Sequence, residues 1–470
     1  MKHSRKPVLL ILTSSFPSSP DDESCGYIRD FARSMSEKLD VRVLAPPDKC
    51  STEWPADLFT LTRSGSILAG RLDGFQSSRD LNHLATASLL KKLWSLPSVF
   101  WFFCRAFAMS LRADVICSHW LVPSGLVGSI TSRLLGKTHI AVEHSGALHF
   151  LARSRVGRSI ARFVIRGSDR VIAVSADLKV KLLNISPDAG SKIEVIPMGI
   201  VTERALAIGQ LHSTEQSPAS CRGVSPWAPL VASPVCLPVR GGHGGPPLQA
   251  GSCYRTVLFV GRLVEIKGVD LLLTALNGMR GVRLVVAGDG ELRRDLEARA
   301  RELSVAARFV GQVGALEREA LLSSCDVVVI PSRVLADGRS EGTPVICLEA
   351  MAAGRVVVAA RTGGLPDVIV DDENGLLFEP GDHCSLREKL LLALEDENLG
   401  RRIAANARRS AQAYDWALIG ERFNQILTSA LADNVRSPAF ERMLMRASAH
   451  TCELPPENGA TNQRRAPDEA

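Results

Sequence analysis

The sequence predicts an α/β protein built as two doubly wound domains that face each other across a cleft. Three observations carry that expectation. Short β-branched runs alternate with helical patterns along most of the 470 residues, the mark of parallel sheets with crossover helices. The alternation fails between 203 and 253, where Ser, Pro and Gly dominate and include the run Arg240-Gly241-Gly242-His243-Gly244-Gly245-Pro246-Pro247. A chain of this length also makes two or three domains as a rule, and an apolar fraction of 46% lets each bury a core of its own.

Taken in order, the first domain (1–202) opens on a strand at 8–12. Lys2, Arg5 and Lys6 ahead of it imitate a secretory leader. The apolar run is short, however, and runs into Ser14-Ser15-Phe16-Pro17 with no small-residue cleavage site, so a buried parallel strand is expected. Further strands are expected at 41–44, 115–117, 140–142, 171–174 and 193–196. Before the third lies a helical stretch, 89–111, that sets Lys91 and Lys92 beside Trp94, Phe100, Trp101, Phe102 and Phe103. Its aromatics fit either a core face or a membrane interface, and the core is preferred. The 203–253 stretch is expected to be a disordered inserted linker, and the spacing of His243 and its neighbouring cysteines matches no metal-ligand set. The second domain (254–415) should hold strands at 257–260, 283–287, 307–310, 327–330 and 356–359. An amphipathic helix at 416–434 and a polar, loosely held tail at 435–470 complete the chain.

Composition narrows the function classes. A formal net charge of +6 suits an anionic ligand or an anionic membrane surface, but no Lys/Arg tract is dense enough for nucleic acid. The eleven cysteines are scattered without C-x-x-C pairs, which reads as reduced thiols in a cytoplasm. No apolar stretch is long enough to span a membrane.

The most telling stretch is 340–354, SEGTPVICLEAMAAG. Thr343 is expected as a helix N-cap, with Pro344 at the first helical position, where its missing N–H costs nothing. Glu341 and Glu349 then lie roughly 12 Å apart at the helical rise. Paired carboxylates that hydrolyse a glycosidic bond sit closer, at about 5–9 Å. The spacing suits instead the two ends of one long ligand with hydroxyls at each end. Between them, the free N–H groups of Gly342 and the first helical turn favour an anion such as a diphosphate. Hydroxyl, diphosphate, hydroxyl describes a nucleotide diphospho-sugar.

Arg262 and Lys267 flank the turn after the 257–260 strand. A guanidinium fork and a point charge together can neutralise a diphosphate whose negative charge grows as a sugar departs. Cations at a helix start work against the dipole, which argues for a ligand there rather than a solvated pair. In the first domain, His144 ends the 140–142 strand and can donate to a sugar hydroxyl or a phosphate. Gly26 opens the first helix, where its backbone could approach a diphosphate from the opposite wall.

Glu341 and Glu349, the segment Phe259-Val260-Gly261-Arg262-Leu263-Val264-Glu265-Ile266-Lys267-Gly268, and Gly288-Asp289-Gly290 together resemble the retaining, GT-B-fold glycosyltransferases of family 4 (group 1). Asp337-Gly338-Arg339 resembles a bacterial surface-polysaccharide subset. The resemblance covers most of 7–201 and 254–432. It implies a GT-B fold of two Rossmann-like domains, the first for the acceptor and the second for the nucleotide-sugar donor, with the 416–434 helix crossing back to the first. It also implies transfer of a sugar, with retention, from a nucleotide diphospho-sugar to a glycan or lipid-linked acceptor. Surface, exo- or lipopolysaccharide synthesis is the implied setting, in the cytoplasm at the inner face of the membrane, with peripheral membrane contact.

By the same resemblance Glu341, His144, Arg262 and Lys267 form the catalytic group, Glu341 meeting the donor sugar. Gly26, Gly261, Gly288, Asp289, Val313, Gly342, Thr343, Pro344 and Glu349 bind the donor, Glu349 holding the ribose. His119, Trp120 and Ser124 stand on the acceptor side. The leaving phosphate serves as base, so neither an enzyme nucleophile nor a metal or other cofactor is expected. The sequence departs from the family pattern at Cys25, Val201, Asp367 and Arg355. Two rivals stay open: a GT-B nucleotide-sugar epimerase, which would release free sugar and nucleotide from donor alone, and a non-catalytic nucleotide-sugar binder.

Overall fold

The computed structural model describes residues 5–19, 22, 25–47, 58–64, 89–144, 148–202 and 254–435. The insert and tail read from the sequence at 203–253 and beyond 435 lie outside them.

Two parallel sheets organise these residues. The first runs β1 (Val8–Thr13), β2 (Asp40–Ala45), β3 (Thr60–Arg63), β4 (Val115–His119), β5 (Thr138–Glu143), β6 (Arg170–Ala173) and β7 (Ile193–Val195) along the chain. Its spatial order is β3-β2-β1-β4-β5-β6-β7. The second contains β8 (Arg255–Val260), β9 (Val282–Ala287), β10 (Ala307–Gly311), β11 (Val327–Ile330), β12 (Val356–Ala360) and β13 (Leu376–Phe378), in the order β10-β9-β8-β11-β12-β13. All six residues of β1 and all four of β11 are buried, because helices cover both faces of each sheet. Such strands are apolar almost throughout, with Thr13 the one polar residue of the two, which is why they stand out in the sequence. The half-exposed β3 and the three-residue β13 are edge strands that the sequence reading did not include.

In both sheets the order reverses at one place, between β1 and β4 and between β8 and β11. The carboxyl ends of strands beside such a switch point form a crevice where α/β proteins bind ligands. Thr13, His119, Val260 and Ile330 end these four strands.

Two chain crossings join the domains. Ile200 and Asp415 form a bridge, flanked by Ile200 N–H to Tyr414 O (2.9 Å) and Trp416 N–H to Ile200 O (3.0 Å). Thr202 donates to the Asp415 carboxylate from both its backbone and its hydroxyl. Gly199 lies against the Trp416 indole, where a Cβ would stand only 2.6 Å from the ring. After this crossing the helix Trp416–Val435 packs on the first domain. Phe423 meets Phe31 at 4.9 Å between ring centres, and Arg170 pairs with Asp433 at 2.6 Å. Phe31 and Phe423 are fully buried, and each such side chain contributes about 1.5–3 kcal/mol to holding helix and domain together.

In the helix Leu89–Ser110, Phe102 and Ala106 pack on Val8, Leu10 and Ile116, while Phe100 stays 67% exposed. From residue 99 onward the helix therefore has the core face read from its sequence; the side chains of Lys91, Lys92 and Trp94 lie outside the described ones. No helix among the described residues is long and apolar enough to cross a membrane.

Candidate active site

The second domain's wall starts where β8 ends. Gly261 donates to Ala287 O, and Leu263 donates to Asp289 O, both at 2.9 Å. Gly288, at φ +135°, sits so close that any Cβ would overlap the Gly261 carbonyl. Gly288 is thus needed to press the Arg262 loop against the Asp289 turn. Asp289 itself is engaged by Arg293 at 3.2 Å. The chain then makes a 3-10 turn, Glu265–Lys267, and passes through Gly268 at φ +65° into the helix Val269–Leu276.

That turn aims Lys267 at Glu341. The ammonium and carboxylate lie 2.5 Å apart, and each side chain is 15% exposed. The second Glu341 oxygen accepts from the hydroxyl of Ser332, which follows β11 at the switch point. Behind them, Gly363 at φ +60° packs against the Glu341 backbone, where a Cβ would overlap its carbonyl oxygen. Glu341 is therefore held from three sides.

The helix after it begins one residue later than the sequence implies. It spans Val345–Ala352, with Pro344 as the extended N-cap and no side-chain cap. The expected cap, Thr343, instead donates its hydroxyl to Gly364 O at 3.2 Å. This contact overrides the local capping preference. It leaves the N–H groups of the first turn uncapped and available to an anion.

Glu349, on the same helix, pairs with Arg318 at 3.0 Å, with side chains 22% and 17% exposed. Arg318 belongs to the helix Ala315–Ser324, just after the half-buried Val313. One cavity between the domains is lined by Gly26, Tyr27, Val260, Arg318, Val345 and Glu349. It brings Gly26 of the first domain and Glu349 of the second to a shared space.

The first domain's wall is aromatic. His144 follows β5 and is half-buried. Its Nε2 lies 2.8 Å from Nδ1 of His119, and the rings of Tyr27 and Trp120 each stand 5.1 Å from its own. Burial lowers the His119 pKa to about 3. His144 is held well below its ordinary value, by burial first and then by the charge His119 would carry. Both imidazoles are neutral at physiological pH. Burial raises the Tyr27 phenol, helped by Cys25 and Glu143, while the Arg262 charge pulls the other way. Exposed Arg262 thus sits within electrostatic reach of Tyr27 from the opposite domain.

His119, Trp120 and Ser124 require a correction as acceptor-side residues. They are 0%, 5% and 0% exposed, so they back the wall and do not line it. The chain turns inward after β4: Trp120 takes φ +67°, a costly conformation for a bulky residue, and Gly125 N–H returns to Trp120 O at 2.9 Å. Conversely Tyr27, Arg318 and Ser332 belong to the site without having been singled out from the sequence. Only Ser332 carried a usable signal, its place just past a buried strand beside a switch point. Of the departures noted in the sequence, Cys25 occupies a left-handed position (φ 59°), and Asp367 accepts from Ala176 N–H of the other domain at 2.6 Å.

Comparison with known proteins gives concordant matches in both halves. The family model described as Glycosyltransferase Family 4 matches residues 27–204, and that of Glycosyl transferases group 1 matches 249–410. An uncharacterised glycosyltransferase of Methanocaldococcus jannaschii is 26% identical over 304 residues, which is 64% of this chain and 72% of that protein. The sulfoquinovosyl transferase of Arabidopsis thaliana is 36% identical over 163 residues, 34% of this chain but only 30% of that protein. Among solved structures, Anabaena HepE in complex with UDP has a TM-score of 0.63 at 17% identity, covering 90% of this chain and 100% of that one. At that identity the likeness is one of fold.

Proposed function

The chain belongs to the group 1, family 4 glycosyltransferases and has their GT-B fold, and from that premise we propose that it moves a sugar, with retention, from a nucleoside diphospho-sugar to a glycan or lipid-linked acceptor. The observation that carries this reading is the interdomain cavity shared by Gly26 and Glu349, with the Lys267–Glu341 pair beside the same helix start. Arg262, Lys267 and the uncapped N–H groups of Val345 and Ile346 receive the diphosphate. Glu341 accepts hydrogen bonds from the sugar and Glu349 from the ribose, the latter sharing its carboxylate with Arg318. UDP in the Anabaena protein supports a nucleoside diphosphate as leaving group.

In the reaction the bond from the anomeric carbon to phosphate oxygen breaks, and a bond to the acceptor oxygen forms on the same face. The acceptor proton passes to the departing phosphate. Cationic groups already aimed at that phosphate stabilise it as its charge grows, which is the largest contribution an enzyme of this kind can make. No metal is assigned, because Glu341 and Glu349 are each neutralised by a protein cation and the diphosphate has cations of its own.

The setting proposed is surface or exported polysaccharide synthesis in the cytoplasm, where the six described, unpaired cysteines are at home. Contact with an anionic membrane fits the helix Arg155–Gly167 better than the aromatic helix before β4, since its outer face exposes Arg155, Val156, Arg158 and Phe163. The test is a panel of UDP-, GDP- and ADP-sugars screened for thermal stabilisation, followed by transfer with the best donor and NMR of the product anomer. One donor should raise the melting temperature and yield product of unchanged anomeric configuration. Inverted product would refute retention, and an intact fold that no donor stabilises would refute the donor site.

A further inference from the structure

His119 is conspicuous because a polar ring has been placed where no ligand reaches it. It is fully buried, with Phe31 edge-on at 5.1 Å and His144 at 5.1 Å with nearly parallel planes. We propose that His119 is a positioning residue, whose Nδ1–H fixes His144 in the tautomer that presents an Nδ1–H donor to the bound donor substrate. The inference rests on the cleft being the donor site, and it specifies what the first domain's wall offers there.

The argument starts from the 2.8 Å approach of His119 Nδ1 to His144 Nε2. Two ring nitrogens at that distance share one proton, so one donates and the other accepts. The other nitrogen of His119, Nε2, is buried and has no partner among the described residues. A proton there would be an orphaned N–H in a dry interior. Such donors are rarer in folded proteins than under-satisfied acceptors, so the bare lone pair is the less costly choice. The His119 proton therefore sits on Nδ1 and points at His144. Nε2 of His144 accepts it, and the single proton of that neutral ring falls on Nδ1. Tyr27 and Trp120 pack around the ring and resist its rotation.

The consequence is chemical. His144 Nδ1–H can donate to an oxygen lone pair of a sugar hydroxyl or a phosphate. It cannot accept a proton there, so it is no general base. A donor fixed in advance also costs no reorganisation when the substrate arrives.

The direct test is 15N–1H correlation of the histidine rings in the whole, ligand-free protein, assigned with His119→Asn and His144→Gln. The proposal expects Nδ1 protonated and Nε2 bare on both residues. Protonated Nε2 on His144 would overturn it, whatever the fate of the glycosyltransferase reading, because no turnover enters the measurement. In the transfer assay His119→Asn, whose amide nitrogen falls near the place of Nδ1, should keep activity close to wild type. His119→Leu should lower kcat/KM about tenfold, the worth of one hydrogen bond in a dry site. Equal losses in the folded Asn and Leu variants would overturn the assignment. If the Leu variant does not fold, the ring spectra of the wild type decide alone.

Discussion

On the second domain's side of the cleft the functional side chains are charged and, for the most part, paired: Lys267 with Glu341 and Arg318 with Glu349. Facing them, the first domain offers His144 and Tyr27, backed by buried His119 and Trp120, all uncharged at neutral pH and packed ring against ring. On the proposed function the contrast follows from what each wall would hold. A diphosphate needs positive charge and N–H groups, and half-buried cations without counter-charges would cost too much when the cleft is empty, so Glu341 partners Lys267 there. Sugar hydroxyls need only directed neutral hydrogen bonds, which a dry wall supplies at little desolvation cost.

Breaking the charged wall should have the largest effect. Lys267→Met removes the cation facing the leaving phosphate and strands Glu341, so kcat should fall about 10²–10³-fold. Urea titration of the same variant should show a loss of about 1–3 kcal/mol from the unpaired, partly buried carboxylate. If Lys267→Met turned over normally, the cations would have no part in the chemistry.

Glu349→Ala comes next. It should weaken nucleotide binding about tenfold, the equivalent of about 1.4 kcal/mol, with a smaller change in kcat, as read from initial rates at varied donor. An unchanged donor KM would remove Glu349 from the ribose.

The neutral wall makes a prediction about pH. His119 and His139 titrate near 3 in the folded chain, and His144 is also lowered, mainly through burial. Unfolded histidines titrate near 6.5, so below that pH the unfolded chain binds more protons and gains stability relative to the native one. The stabilising contribution is fully present above about pH 6.5 and is lost progressively as pH falls toward about 3. Urea midpoints measured from pH 8 to 4 should plateau at the high end and decline below about 6.5, and His139→Asn should flatten part of that decline. A midpoint that rises on acidification would contradict neutral buried histidines.

The smallest effect expected lies away from both walls. Arg155→Glu with Arg158→Glu should reduce sedimentation with anionic phosphatidylglycerol vesicles several-fold at low salt, leaving transfer to a soluble acceptor unchanged. Unaltered vesicle binding would remove the helix Arg155–Gly167 from any membrane contact.

The two walls were also unequally legible in the sequence. Arg262, Lys267, Glu341 and Glu349 fall in two short segments whose charges have no local reason to be there, so they could be singled out without a fold. His119 carried an ambiguous signal, because its burial depends on Phe31 from a helix near the start of the chain, itself packed by Phe423 from a helix near its end. No local pattern contains that. Thr343 misled for a similar reason: the carbonyl that captures its hydroxyl belongs to Gly364, 21 residues on. Arg318 resembled any surface arginine on a polar helix until Glu349 was seen beside it. Among strands, central β1, β8 and β11 announce themselves by apolar runs of four or five residues, and β4 by a shorter one of three. The edge strands are harder to read for different reasons: β3 is only partly buried and mixes Thr60, Thr62 and Arg63 with Leu61, and β13, though buried, is only three residues long.

The most direct measurement is a calorimetric titration with the best nucleoside diphosphate and its monophosphate, on the wild type and on Lys267→Met. The account predicts that the diphosphate binds the wild type at least about tenfold tighter than the monophosphate, and that Lys267→Met erases most of that difference. Equal affinities for the two nucleotides, or a preference untouched by the substitution, would contradict a diphosphate held between Lys267 and the helix start at Val345.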